Sequence, residues 1–267
     1  MPFEMSEQVG FCSTAIQTSS NANAGIPWAI LQYDNRDPIA PGLSAALARN
    51  SAYAKRHGYA HVFVSGQAAF ELSVRLPPYW VKVELTKRLL SERDPSDISR
   101  MRYGGVLWLD MDAVMRSDES LEDFWAREAR PGTSFLLAPD EPGGPNEYGA
   151  PFCAGVWIVR NVQRGRELID AWRSLFPPSE WTFTEEGKWS SKGVWAGPTY
   201  EQGSLSWFLL VPWGCDFTVL PWRIFHNTDV SAKDAFTLHF SGGRKDHMLE
   251  VFASLDKVKN STLESYG

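Results

Sequence analysis

The chain has 267 residues, enough for one large folded unit and short for two. At 43% hydrophobic and 22% charged it can bury a core, and its net charge of -6 excludes a polyanion-binding surface as its main feature, so no nucleic-acid partner is expected. Its three cysteines, Cys12, Cys153 and Cys215, match neither a zinc spacing nor a disulfide framework. Residues 1–25 are small and polar and read as a flexible lead-in, with the ordered domain spanning 26–267. Residues 28–33 form the first apolar strand, 42–58 a helix stopped by Gly58, and 61–65 a second strand. A second amphipathic helix covers 79–93, followed by the strong strand VLWLD at 106–110 and a short acidic helix at 119–129. Strands follow at 134–138 and 155–161, then helices at 161–176 and 201–210 and short strands at 217–221 and 237–240. Strands alternating with helices predict an α/β domain with a mixed, mostly parallel sheet flanked by helices. There is no basic-then-apolar leader and no apolar run of the ~20 residues a bilayer span needs, which predicts a soluble, cytoplasmic protein.

Asp110 and Asp112 stand at the carboxyl end of the most apolar strand, where open α/β sheets bind ligands. Residues two apart in extended chain point the same way, so both carboxylates can approach one cation, Mn²⁺ or Mg²⁺. The plain alternative is one Asp capping a turn with the other solvated. A sharper rival is a haloacid-dehalogenase-type phosphatase, in which the first Asp is a nucleophile and the second a general acid. Some 80 ordered residues precede the motif here, which fits that rival poorly. The twelve tryptophans invite either core packing or stacking against sugars.

Six segments in order, NSAYAKRHGY, WVKVELTKRLL, VLWLDMDAV, FCAGVWIVRN, YEQGSLSWFLL and HFSGGRKDH, resemble retaining glycosyltransferases of the GT-A fold. The likeness is to the galactosyl-, mannosyl- and xyloglucan xylosyltransferase family, and more distantly to glycogenin-like enzymes. It spans about residues 28–247. The resemblance implies a Rossmann-like fold, a nucleotide-sugar donor (UDP- or GDP-linked), a carbohydrate acceptor and His239 as third metal ligand beside Asp110 and Asp112. It also implies that Gly242 and Gly243 let the backbone approach a diphosphate, and that Lys245, next to Arg244, neutralises the departing group. Lys82 is either a donor contact or a solvated lysine on a helix face. Tyr33 and Asp34 take the nucleobase position by fold analogy. Glu201 and Gln202 match an acidic-Gln pair at the reacting face, although a first-turn glutamate is also ordinary helix chemistry. Asp140 is a further sugar contact. Where the family reads Asn-x-Gly this chain has Cys153-Ala154-Gly155, so donor and acceptor identity do not carry over. Trp181, Trp189 and Trp195 lie in a segment that reads equally as an acceptor platform or lid and as a packed loop. A fold kept for nucleotide-sugar binding without turnover is the non-enzymatic alternative.

Overall fold

The computed structural model describes residues 25–139, 152–210 and 212–254. The residues proposed as an N-terminal lead-in (all but the last) and Asp140 lie outside this range. The chain opens with β1 (Ala29–Tyr33) and α1 (Pro41–His57). Proline suits the first helical turn, where no amide donor is needed, and Gly58 closes the helix at φ 71°, a conformation glycine adopts without strain. Next come β2 (Ala60–Val64), α2 (Gly66–Ser73), α3 (Pro78–Ser91) and a hairpin of β3 (Arg93–Asp94) and β4 (Asp97–Met101). The apolar run after it forms β5 (Gly105–Leu109), followed by β6 (Ala113–Met115) and α4 (Leu121–Glu128), whose first turn is capped by Ser120 accepting from the Asp123 amide. The second half contains β7 (Phe135–Pro139), β8 (Phe152–Arg160), α5 (Gln163–Ser174) and a hairpin of β9 (Trp181–Phe183) and β10 (Trp189–Ser191). It continues with α6 (Glu201–Ser204), β11 (Phe217–Val219), α7 (Trp222–Phe225) and β12 (Thr237–His239), and a 3-10 helix at Gly242–His247 follows.

Six strands form the main sheet in the order β11-β7-β8-β5-β1-β2. The pairs β1–β2, β1–β5 and β7–β11 are parallel, while β8 runs against both β5 and β7. All five residues of β5 are buried, as a strand covered on both faces requires. Alternate side chains serve opposite layers. Leu31, Val106, Trp108 and Trp157 pack with Trp80, Leu85, Leu168 and Trp172 of α3 and α5. Ile30, Leu107, Leu109 and Ile158 pack with Tyr53, Phe124, Phe225 and Phe236 on the other side. Each such fully buried side chain contributes about 1.5–3 kcal/mol relative to exposure. Among the described residues no helix is long and apolar enough to cross a membrane.

The predicted alternation of strands and helices is present, and the departures from it have physical reasons. Residues 237–240 do form a strand, but β12 pairs antiparallel with β6, outside the main sheet, in the register His239↔Ala113. The predicted helix at 201–210 is one α-turn, α6, continued by a widened π-helical turn at Leu205–Leu209. The tryptophan-rich segment holds the β9–β10 hairpin, with Trp181 buried and its indole donating to the Thr199 carbonyl at 3.1 Å. Trp28, Trp80, Trp108, Trp125, Trp157 and Trp172 are buried as well, so packing accounts for much of the indole content.

Candidate metal and donor site

The carboxyl ends of β1, β2 and β5 share one edge of the sheet, where the reversed strand β8 begins. At this edge Asp110 donates its amide to the Gly155 carbonyl (2.8 Å) and accepts on Oδ1 from the Trp108 indole (2.7 Å). The chain then turns, with the Ala113 amide on the Asp110 carbonyl, and enters β6. Asp112 accepts the Phe240 amide on its own carbonyl at 2.8 Å, and the β6–β12 register carries His239 beside it. His239 Nε2 lies 3.4 Å from Asp112 Oδ1. One ligand-type atom from each of Asp110, Asp112 and His239 can be chosen so that all lie within 4.8 Å of one another. Gly155 makes room for the imidazole, since a Cβ there would stand 2.3 Å from His239 Cε1. Neither aspartate simply caps a turn with a solvated partner, because Asp112 is buried.

Cations surround these acids. Lys82 is buried, and its ammonium bridges Asp110 Oδ1 (2.9 Å) and Glu201 Oε1 (3.3 Å) while donating to the Ala154 carbonyl (3.0 Å). It is therefore not a solvated helix-face lysine. Burial alone would lower the Lys82 pKa, but the two carboxylates reverse that and hold it above the ordinary lysine value. Lys245 Nζ sits 2.9 Å from Asp112 Oδ2 and is 41% exposed. Burial works to raise the Asp112 pKa, yet His239 and Lys245 draw it well below the usual carboxylate range. Glu201 goes the other way: burial lifts it above the ordinary glutamate value although Lys82 opposes this. Its Oε2 is buried with no hydrogen-bond partner. Such an atom calls for an explanation, and a ligand group is one.

The other expected residues are placed around this centre. Gln202 Oε1 accepts from the Ala154 amide at 3.1 Å. Gly242 adopts φ 65°, and a Cβ there would meet nothing within 4 Å. Asp34 is buried and turned inward, gripping Arg36 through two side-chain contacts of 2.8 Å. Tyr33 is also buried, its hydroxyl donating to the Ala69 carbonyl at 3.3 Å, and burial with the Asp34 charge pushes its pKa up to about 12. Little of its ring is open for stacking in this conformation. Three residues to which the sequence assigned no role belong here. Arg36 has its pKa raised first by its hydrogen bond to Asp34 and then also by the charges of Asp112 and Asp110, so it stands within their field. Asn50, on α1, donates to the Ala113 carbonyl (2.9 Å) and accepts from the Met115 amide (2.9 Å), fixing β6. His226 places Nδ1 3.0 Å from Nδ1 of His239. Asn50 opens one of the six matching segments but shows its role only through β6, 63–65 residues on, while Arg36 is held by its near neighbour Asp34 and His226 by His239.

No protein-family model matches the chain, and no curated protein sequence matches it significantly. Among solved structures it is similar to a glycosyltransferase involved in glycosylation of the major capsid of the virus PBCV-1, with TM-score 0.56 and 18% identity over 84% of this chain and 99% of that one. It also aligns with mouse xyloside xylosyltransferase 1 (TM-score 0.38, 12% identity, 73% of this chain and 85% of that one). A third alignment is with a Drosophila β-1,4-galactosyltransferase 7 in complex with manganese, UDP-Gal and xylobiose (TM-score 0.40, 14% identity, 81% of this chain and 72% of that one). The last two superpose too loosely to inform the site. The first shows the fold: this chain is built on a GT-A-like, Rossmann-like scaffold with a mixed, mostly parallel sheet.

Proposed function

We propose that this protein is a metal-dependent glycosyltransferase moving a sugar from a UDP- or GDP-linked donor to a carbohydrate hydroxyl, with retention at the anomeric carbon. The observation that carries the reading is the convergence of Asp110, Asp112 and His239 at the ligand-binding edge of the sheet, with Lys245 on the rim. Two carboxylates and one imidazole are a donor set that fits Mn²⁺ better than the oxygen-seeking Mg²⁺. A divalent cation bound there would offset diphosphate charge and stabilise it as the glycosidic bond breaks.

The chain's own groups supply the remainder. Lys245 is exposed enough to leave Asp112 for the departing diphosphate, where its charge counts most as the bond lengthens. Gly242 leaves the backbone open to phosphate oxygens. Glu201 Oε2 accepts a donor-sugar hydroxyl, and its charge, balanced by Lys82, favours positive character at the anomeric carbon. Glu201 Oε1 is held by Lys82, which argues against a covalent nucleophile and for displacement on one face through an oxocarbenium-like state. Trp195, 46% exposed and packed on Tyr79 and Tyr200, offers an apolar face for the acceptor.

The test is a panel of nucleotide sugars scored for slow donor hydrolysis with Mn²⁺, on the wild type and on Asp112→Ala checked for folding. Hydrolysis of one donor, abolished by the substitution, supports the proposal. Mn²⁺-dependent binding without turnover on any donor would make the protein a binding module. Phosphate release from a phosphomonoester, lost on Asp110→Asn, would make it a phosphatase.

A further inference from the structure

Cys153 and His226 are the residues beside the metal centre that the proposed reaction does not use. Both are buried, on β8 and just after α7, and both face the far side of the His239 ring. Cys153 Sγ lies 3.8 Å from His239 Nδ1, and His226 Nδ1 lies 3.0 Å from the same atom. Ligand atoms of the three residues lie within 4.8 Å of one another. The spacings are close to the roughly 3.3–3.6 Å separating neighbouring ligands around a tetrahedral zinc with bonds of about 2.0–2.3 Å. The Gly155 amide points at Cys153 Sγ from 3.4 Å, the kind of N–H support that stabilises a coordinated thiolate.

We propose that Cys153, His226 and His239 form a second cation site, selective for a thiophilic divalent ion such as Zn²⁺, that shares His239 with the Asp-x-Asp centre and excludes its cation. The exclusion follows from proton placement. A neutral imidazole offers one lone pair. When His239 carries its proton on Nδ1 and donates to His226 Nδ1, its Nε2 lone pair faces Asp112 and serves the Asp-x-Asp cation. When a soft ion takes both Nδ1 atoms, the His239 proton moves to Nε2, where it points at Asp112 Oδ1 across 3.4 Å. The His226 proton then sits on its Nε2, and the Cys153 thiol proton leaves to solvent as the Sγ–metal bond forms. A neutral ring therefore serves one ion at a time, and holding both would require its remaining proton to leave as well. The cysteine that replaces the family's asparagine supplies the soft ligand.

The soft site itself stands apart from the proposed transfer; only the exclusion rests on that reading. The experiment uses chelator-stripped protein carrying Cys12→Ser and Cys215→Ser, titrated with Co²⁺. A near-ultraviolet thiolate-to-cobalt charge-transfer band is expected, retained in Asp110→Asn and lost in Cys153→Ser. Cys153→Ala and circular dichroism guard against a folding defect. Added Zn²⁺ should release bound Mn²⁺, seen as a gain of the free-ion resonance, and Cys153→Ser should need at least about tenfold more Zn²⁺ for the same release, ~1.4 kcal/mol. No charge-transfer band, or one undiminished by Cys153→Ser, overturns the inference. A band in a protein with no Mn²⁺ or nucleotide response would leave this site standing and remove the transferase reading. Mn²⁺-dependent donor hydrolysis without a band would do the reverse.

Discussion

Glu201 is a carboxylate kept where it costs the fold stability. Burial raises its pKa in the folded state above the ordinary value. The folded protein thus holds that proton to higher pH than the unfolded chain does, so stability declines as pH rises through this range and the ionised group is a net burden at neutral pH. Glu201→Gln keeps the shape and removes the charge. The expected outcome is donor hydrolysis reduced about 100-fold, the scale of losing one preorganised electrostatic contact, with a melting temperature in which relief of the buried charge is offset by the loss of one partner of Lys82. A lower melting temperature with activity intact would show that the carboxylate is structural. Asp112 has the opposite sign, since His239 and Lys245 hold its pKa down against burial and its contribution is lost as pH falls. Gly155 is constrained by sterics instead. Gly155→Ala forces a methyl to 2.3 Å from the His239 ring, and the relief of that overlap should cost about 1–3 kcal/mol and weaken Mn²⁺ binding, read by thermal melting and by the Mn²⁺ resonance.

The second acid of the motif depends on an element of three residues. β6 has no place in the main sheet and is held by β12 on one edge and by the Asn50 amide, which bonds the Ala113 carbonyl and the Met115 amide. Asn50→Ala leaves those buried groups unpaired, for a loss of about 1–3 kcal/mol in urea unfolding. Because β6 starts directly after Asp112, Mn²⁺ affinity should fall with it, although Asn50 touches no ligand atom. Unchanged affinity in a folded variant would show that β12 alone positions Asp112. This element also marks where reading from sequence stops. The strand β5, the helices α1, α3 and α5 and the site position at the end of β5 were legible, since runs of apolar residues and helical periodicity are local signals. Ala-Val-Met in β6 is too short to show a period, and the β9–β10 hairpin is hidden by its polar and glycine residues. From periodicity Lys82 is one more lysine on an amphipathic helix, and the resemblance offers a donor contact as the equal alternative. Only the meeting of α3 with the ends of β5 and α6 turns it into a buried bridge. Cys153 and His226 acquire their places in the same way, from His239, 86 and 13 residues further along the chain.

At the scale of the molecule, the net charge of -6 predicts nothing about a site that gathers both signs. Asp110, Asp112 and Glu201 face Lys82 and Lys245 at one end of the sheet, with Arg36 in their field. A divalent cation arriving alone competes with Lys245 for Asp112, and with Lys82 for Asp110. A nucleoside diphosphate arriving alone brings further negative charge toward two carboxylates. On the proposed function the two together would give the cation both carboxylates and phosphate and free Lys245 for the diphosphate, so each ligand should strengthen the other. At about 100 times its dissociation constant a ligand adds ~2.7 kcal/mol to folding stability. For a chain of this size that corresponds to a melting shift of about 5–10 °C. The expected result is a shift of this size with Mn²⁺ and UDP or GDP together, well beyond the sum of the separate shifts, abolished by a chelator and by Asp112→Ala. Equal shifts with and without the chelator would mean that the nucleotide binds without the Asp-x-Asp centre, and the metal-dependent reading would fall with it.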